Sequence, residues 1–193
     1  LGSFGRQGLR AVIEDIDNVA THARKLFPGI PLVTFGHSMG AIVTLEYLIS
    51  HPGRSDAAAL WNTSFDTPLL LHLLVALLKV ERFLKGSDTP SFLAPTAPFD
   101  AWNRRFAPNR TAFDWLSRDE AEVDRYVADP LCGFSASVGM WLEIIASIRA
   151  SARKERLSRI ERSLPVHVCA GDQDPSSIGG KAMERLADRL RAI

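Results

Sequence analysis

Apolar positions recur along this chain with two different periods, and the switching between them outlines its elements. Leu9, Val12, Ile13, Ile16, Val19, Ala20, Ala23 and Leu26 return every three or four residues, with Glu14, Asp15, Asp17 and Arg24 between them. That spacing predicts an amphipathic helix, stopped by Pro28 and Gly29. Ile30 to Phe35 is a short apolar run of the kind that forms a buried strand. Gly36-His37-Ser38-Met39-Gly40 then turns the chain, and Ile42, Val43, Leu45, Leu48 and Ile49 predict a second helix that ends at His51-Pro52-Gly53. Ala57 to Trp61 reads as another buried strand. Strand, helix and strand joined by tight loops make the unit of a parallel sheet.

From about Phe65 the pattern changes. Thr67-Pro68 predicts a helix start with proline at its first position, and Leu69 to Leu78 is apolar except for His72. That run is too short to span a bilayer. Pro90, Pro95, Pro98 and Pro108 predict an irregular stretch. Ser117-Arg118-Asp119-Glu120 has the form of a capping box opening a short helix to about Val127. Phe134 to about Leu157 reads as a longer helix, Pro165 to Ala170 as a strand, and Lys181 to Arg191 as a final amphipathic helix. The layout is an α/β core, residues 1–64 and 158–193, interrupted by a helical insertion over 65–157. An insertion of that size exceeds ordinary loop lengths.

Composition narrows the function. The 193 residues suffice for one domain with a sizeable core, and 46% hydrophobic with 23% charged residues is the balance of a globular protein. A net charge of +1, with arginines interleaved among acids, argues against electrostatic capture of nucleic acid or of an anionic membrane. Cys132 and Cys169 make neither a disulfide framework nor a metal site, and apolar neighbours predict that both are buried. No signal peptide opens the chain, and Leu1 is not an initiator methionine. A cytoplasmic protein is the default expectation.

The candidate chemistry sits at Ser38. A serine hydroxyl is a poor nucleophile unless a base takes its proton and the backbone presents it free of neighbours. Gly-x-Ser-x-Gly between a strand and a helix provides that presentation through a sharp turn whose flanking glycines keep side chains out. The following helix aims its positive end at the site, and the backbone N–H of Met39 is a candidate oxyanion donor. His37 adjoins the serine, but neighbours in a tight turn point apart, so it is expected to fill or hydrogen-bond the turn.

Gly36-His37-Ser38-Met39-Gly40 with His51-Pro52-Gly53 resembles the monoacylglycerol lipase and lysophospholipase-like branch of the α/β-hydrolases, the serine aminopeptidase S33-like group. Asn103 to Phe106, Arg110 to Asp119, and Tyr126 through Asp129 to Phe134 are similar to the cap of bacterial members. Leu164-Pro165-Val166 leading to Gly171-Asp172-Gln173-Asp174-Pro175 resembles their strand and acid loop. The resemblance implies a partial α/β-hydrolase fold: a parallel central sheet with helices on both faces and a helical cap. It implies an esterase or lipase that acts by acyl transfer to Ser38 on a small ester or lipid, without metal or organic cofactor. A peptidase, a thioesterase or a non-catalytic binding protein on the same fold remains the alternative.

In that group the second acid of such a loop is the triad carboxylate, which carries over to Asp174, with Asp172 as its rival. The acid would hold an imidazole in one tautomer and stabilise the imidazolium. The sequence departs from the pattern in two places: Ala41 replaces a common third glycine, and Ser176-Ser177 replaces an expected Val-Gly. The apolar helix Leu69 to Leu84 would either line or gate an acyl-chain channel or form the core of the cap. The order of the triad is serine, acid, histidine, yet His22, His37, His51, His72 and His167 all precede Asp174. His167 is expected in the core or on a sheet face, and His72, on the apolar cap helix, as a partly buried structural histidine or a lid residue. The resemblance therefore implies a chain that is short at both ends and inactive alone.

Overall fold

The structure is a computed structural model that describes residues 1–193, the side chains of residues 95–97 excepted. In chain order the elements are α1 (Gly8–Leu26), β1 (Val33–His37), α2 (Met39–Ser50), β2 (Ala57–Trp61), α3 (Leu69–Lys85) and α4 (Leu93–Arg104). A 3₁₀ turn (Asp114–Leu116), α5 (Glu120–Ala128), α6 (Val138–Ser151), α7 (Lys154–Leu157), β3 (Val166–Cys169) and α8 (Lys181–Arg191) complete it. The chain divides into two compact units. A sheet unit comprises Arg6–Leu69 and Glu143–Ile193, and a helical unit comprises Leu1–Gly5 and Leu70–Leu142.

In the sheet unit the three strands are parallel and adjacent in the order β1-β2-β3. His37 stands beside Trp61 and Trp61 beside Cys169, so the C-terminal ends of the strands are level. Leu45, Tyr47 and Ile49 of α2 are fully buried, and Ile42, Val43 and Leu48 nearly so, against β1 and β2. A helix apolar all round must be buried all round. Its close approach depends on Gly36, where a Cβ would lie 2.3 Å from the Gly40 carbonyl oxygen and 2.5 Å from Thr44 Oγ1. Leu9, Ile13 and Ala20 give α1 its buried face, and Ala182, Met183 and Leu186 do the same for α8. On the other face of the sheet Val33 and Phe35 are exposed. The Phe35 ring meets Trp61 edge-on at 5.2 Å, and Trp61 Nε1 donates to His167 Nδ1 over 3.0 Å.

Both outer strands are shorter at their starts than the apolar runs predict. Pro31 and Pro165 have no N–H to give a ladder. Leu32 instead donates to the Asp56 carboxylate at 2.7 Å and accepts from Asp56 N at 2.9 Å, which fixes the entry to β1. The far end of β1 is longer than expected, running on through Gly36 and His37 to the turn itself.

The helical unit departs further. Residues 93–104, expected to be irregular, form α4 with Pro98 inside it. Proline costs a helix one interior hydrogen bond, and packing offsets that loss. Phe99 stacks on Trp115 at 5.7 Å and lies 5.2 Å from Trp102 and 6.1 Å from Trp141. Asn103, 8% exposed, donates to Thr111 O at 2.8 Å and accepts from Trp115 N at 3.1 Å. The cap of α5 is Asp119, whose carboxylate accepts from Ala121 N, and not Ser117. The long helix expected from Phe134 starts at Val138, because Ser137 bridges to Pro90 and Ser91 N donates to Ala136 O. It stops at Ser151, and the extended backbone of Arg153 separates α6 from α7.

On α3 the burial is inverted. Leu69, Leu70, Leu73, Leu77, Val80, Phe83 and Leu84 are exposed, while Leu78 and the carboxylate of Glu81 are buried. Burial alone would raise the Glu81 pKa. The Phe92 N–H and Ser91 hydroxyl, at 2.9 and 2.8 Å, with Lys85 beyond them, outweigh it and hold the acid below its usual range. Of the two expectations for this helix, cap core describes only its Leu78 side. Cys132 and Cys169, expected to be buried, are half-buried free thiols, and burial followed by Asp129 pushes the Cys132 thiol up. Among the described residues no helix is long and apolar enough to cross a membrane.

Candidate active site

Ser38 lies between the last residue of β1 and the first of α2, with φ 54° and ψ −121°. A non-glycine residue at positive φ is uncommon and costs of order 1–3 kcal/mol, which the surrounding structure must enforce. Two hydrogen bonds enforce it here. Ser38 N donates to Trp61 O at 2.9 Å, extending the β1–β2 ladder by one residue, and Ala41 N donates to Ser38 O at 3.0 Å, closing the first turn of α2. The side chain is exposed, and among the described residues nothing hydrogen-bonds its hydroxyl. Met39 is the first residue of α2, where helix geometry leaves the N–H without an intrahelical acceptor.

The two flanking glycines are not equivalent. Gly36 is demanded by the approach of α2, whereas a Cβ on Gly40 would meet no atom within 4 Å. The expectation that both keep the bend clear holds only for Gly36.

Asp174 follows β3 by five positions and is half-buried, while Asp172 is exposed. The Asp174 carboxylate is heavily hydrogen-bonded. Oδ1 accepts from Ser176 N at 2.9 Å and Ser176 Oγ at 2.7 Å, and Oδ2 accepts from Asn62 Nδ2 at 3.2 Å. Its backbone closes the loop on both sides, with Asp174 N donating to Gly171 O at 3.2 Å and Gly179 N to Asp174 O at 2.8 Å. Gly179 is crowded against the backbone oxygen of Asp172, 2.8 Å from where a Cβ would stand.

Ser38, Asn62 and Asp174 thus follow the C-terminal ends of β1, β2 and β3, the edge of a parallel sheet where ligands bind in open α/β folds. No hydrogen bond joins Ser38 to Asp174 among the described residues. Of the histidines, His37 ends β1 and is exposed, His72 is exposed on α3, and His167 accepts from Trp61 on the open sheet face. His51 stacks on Tyr47 at 5.2 Å. Asn62 is the participant that sequence reasoning missed. Its one signal was an asparagine directly past a strand end, a residue type that tolerates the left-handed backbone found there, φ 52°. Among the described residues no cluster of His, Cys, Asp and Glu could hold a metal ion. A cleft of about 700 Å³ between β3 and α8, lined by Leu164, Val166, Val168, Ala187 and Leu190, includes none of these site residues.

A parallel sheet in which a strand turns through a strained serine into a buried helix is the arrangement of the α/β-hydrolases. The chain belongs to the serine aminopeptidase S33 family, whose model matches residues 3–192. Its fold is similar to that of a thermostable carboxyl esterase from Bacillus coagulans, solved in complex with glycerol, with a TM-score of 0.86 and 22% identity. That match covers 98% of this chain and 61% of the esterase. The monoacylglycerol lipase of Paleococcus ferrophilus matches with a TM-score of 0.60 and 20% identity over 91% of this chain and 59% of its own. A soluble variant of the Saccharomyces cerevisiae monoglyceride lipase, bound to a substrate analogue, matches at 0.65 and 13% over 98% and 59%. The chain therefore spans about three fifths of the length of these enzymes. No curated protein matches it at a significant level.

Proposed function

We propose that the protein is a serine hydrolase that cleaves carboxylic esters of the monoacylglycerol or lysophospholipid type through an acyl-enzyme on Ser38. The observation that carries this reading is the backbone of Ser38, held at φ 54° on the start of α2. Strain of that kind persists where it is used, and here it lifts a hydroxyl clear of its neighbours at a helix N-terminus. In the reaction Ser38 Oγ attacks the ester carbonyl carbon and its proton passes to a histidine. The carbonyl oxygen becomes an oxyanion facing the Met39 N–H. Collapse expels the alcohol, which takes that proton, and water then releases the acid by the same route. Asp174 would orient the histidine, which must follow it in the chain. No cofactor enters these steps.

In this reading the insertion over 65–157 is a cap on a core of 1–64 and 158–193. The exposed leucines of α3 offer the kind of apolar surface that an acyl chain takes. The family's name favours a second reading, an aminopeptidase, because the same groups cleave amides.

The test uses the full-length protein, in which this reading requires a histidine after Asp174. Ser38→Ala is expected to abolish hydrolysis of a monoacylglycerol while leaving the thermal midpoint unchanged, and activity within tenfold of the parent would overturn the assignment. Asp174→Asn is expected to cost on the order of a thousandfold in kcat and Asp172→Asn far less. The reverse pattern would move the triad acid to Asp172. Faster turnover of an aminoacyl amide than of the ester would replace the esterase reading with the peptidase one.

A further inference from the structure

We propose that Asn62 is a positioning residue that fixes the carboxylate of Asp174 for its histidine, an inference that rests on the reading of Asp174 as the triad acid. Asn62 stands one residue beyond β2. Its N–H donates to Cys169 O at 2.9 Å, so the β2–β3 ladder continues through it. Its backbone is left-handed, φ 52°, and its amide nitrogen reaches Asp174 Oδ2 at 3.2 Å across 112 residues of sequence. The asparagine is therefore held by the sheet, not by the loop that carries the acid.

Counting acceptor sites shows what the amide does. An ionised carboxylate has about four lone-pair directions, two on each oxygen. Ser176 takes both on Oδ1, with its N–H at 2.9 Å and its hydroxyl at 2.7 Å. Asn62 takes one on Oδ2. One direction on Oδ2 remains, and it suits a single imidazole N–H. Without the amide the carboxylate is still held on Oδ1, but Oδ2 has nothing to set its rotation. Ser176 belongs to the Ser176-Ser177 pair that departs from the family pattern, so this clamp is partly a property of this chain.

The test is steady-state hydrolysis of a p-nitrophenyl ester by the full-length protein. Asn62→Gly is the informative variant, because glycine adopts φ 52° without strain and only the amide is lost. The expected result is a kcat reduced on the order of tenfold or more with KM within twofold, since misplacing the acid affects the transition state and not substrate binding. Asn62→Asp is isosteric, tolerates the same backbone and sets a second carboxylate against Asp174. It is expected to lower kcat further, and it decides the matter if the glycine variant fails to fold. In an Asp174→Asn background Asn62→Gly should have little additional effect, the signature of coupled residues.

A kcat within twofold of the parent in Asn62→Gly would overturn the proposal, as would a raised KM with unchanged kcat. If Asp174→Asn is itself inactive in those cases, the triad reading stands and this inference alone falls. If Asp174→Asn remains active, both fall together.

Discussion

The sheet unit and the helical unit are stabilised by different chemistry. In the sheet unit the core is mostly aliphatic: Leu45, Leu48, Ile49, Leu60 and Leu186 are buried with almost no exposure, beside Tyr47 and Phe65, against a three-stranded parallel ladder. The helical unit adds to its buried Leu78, Val123 and Val138 a cluster of half-buried rings, Phe99, Trp102, Trp115 and Trp141, beside the buried amide of Asn103. An aliphatic core needs only regular spacing and tolerates some repacking. A ring cluster with one amide depends on particular side chains in particular orientations. The first kind of unit supports a strained serine on a rigid frame. The second can hold a proline within a helix.

The sharpest test of the frame is Gly36. In Gly36→Ala the new Cβ would fall 2.3 Å from a backbone oxygen of α2, which cannot swing aside as a long side chain can. The expected cost is about 3 kcal/mol or more in urea unfolding of the full-length protein. Gly40→Ala meets open space inside a helix and is expected to change stability by less than about 1 kcal/mol, with either sign. Equal effects at the two glycines would show that the contact between β1 and α2 is softer than the geometry indicates.

The counterpart in the helical unit is Asn103→Ala. The substitution leaves Thr111 O and Trp115 N, bonded at 2.8 and 3.1 Å, without their partner in a buried place. The expected loss is about 2–3 kcal/mol, with a red shift of tryptophan emission as the ring cluster opens. A loss without the spectral change would mean that the amide holds the loop at 109–111 and not the rings.

The same contrast explains what could be read in advance. α1, α2, β2 and α8 were legible nearly to the residue, because each combines a regular apolar period with a clear stop such as Pro28 or Pro52. The strained Ser38 was legible because a short motif specifies its own turn. α4 was not, since Pro98 is a local signal against a helix and the aromatic contacts that override it are tertiary. The break between α6 and α7 and the choice of Asp119 over Ser117 as a cap were likewise beyond a periodic pattern. Asn62 escaped for a related reason. Its partner Asp174 is 112 residues away, and only the level ends of β2 and β3 bring the two together.

The smallest expected effect concerns how α1 is fastened to α2 and its following loop within the sheet unit, and pH is the way to read it. Asp17 on α1 accepts from Arg54 Nε at 2.7 Å and Nη2 at 3.1 Å, and from the Tyr47 hydroxyl at 3.1 Å. The Arg54 hydrogen bonds hold the Asp17 carboxyl below the usual carboxylate range; partial burial opposes this, and Tyr47 adds to the lowering. A depressed folded-state pKa contributes stability that is present above the unfolded value of about 3.9 and is lost as pH falls through the folded value. Asp17→Asn should therefore destabilise by on the order of 1 kcal/mol at neutral pH. That difference should shrink toward zero as the pH drops below about 4. Tyr47 does not confuse the reading, because burial and then Asp17 push its phenol up to about 12, far from the acid range. Urea midpoints for parent and variant across pH 7 to 3 give the comparison. Parallel curves would mean that Asp17 contributes by packing and not by charge.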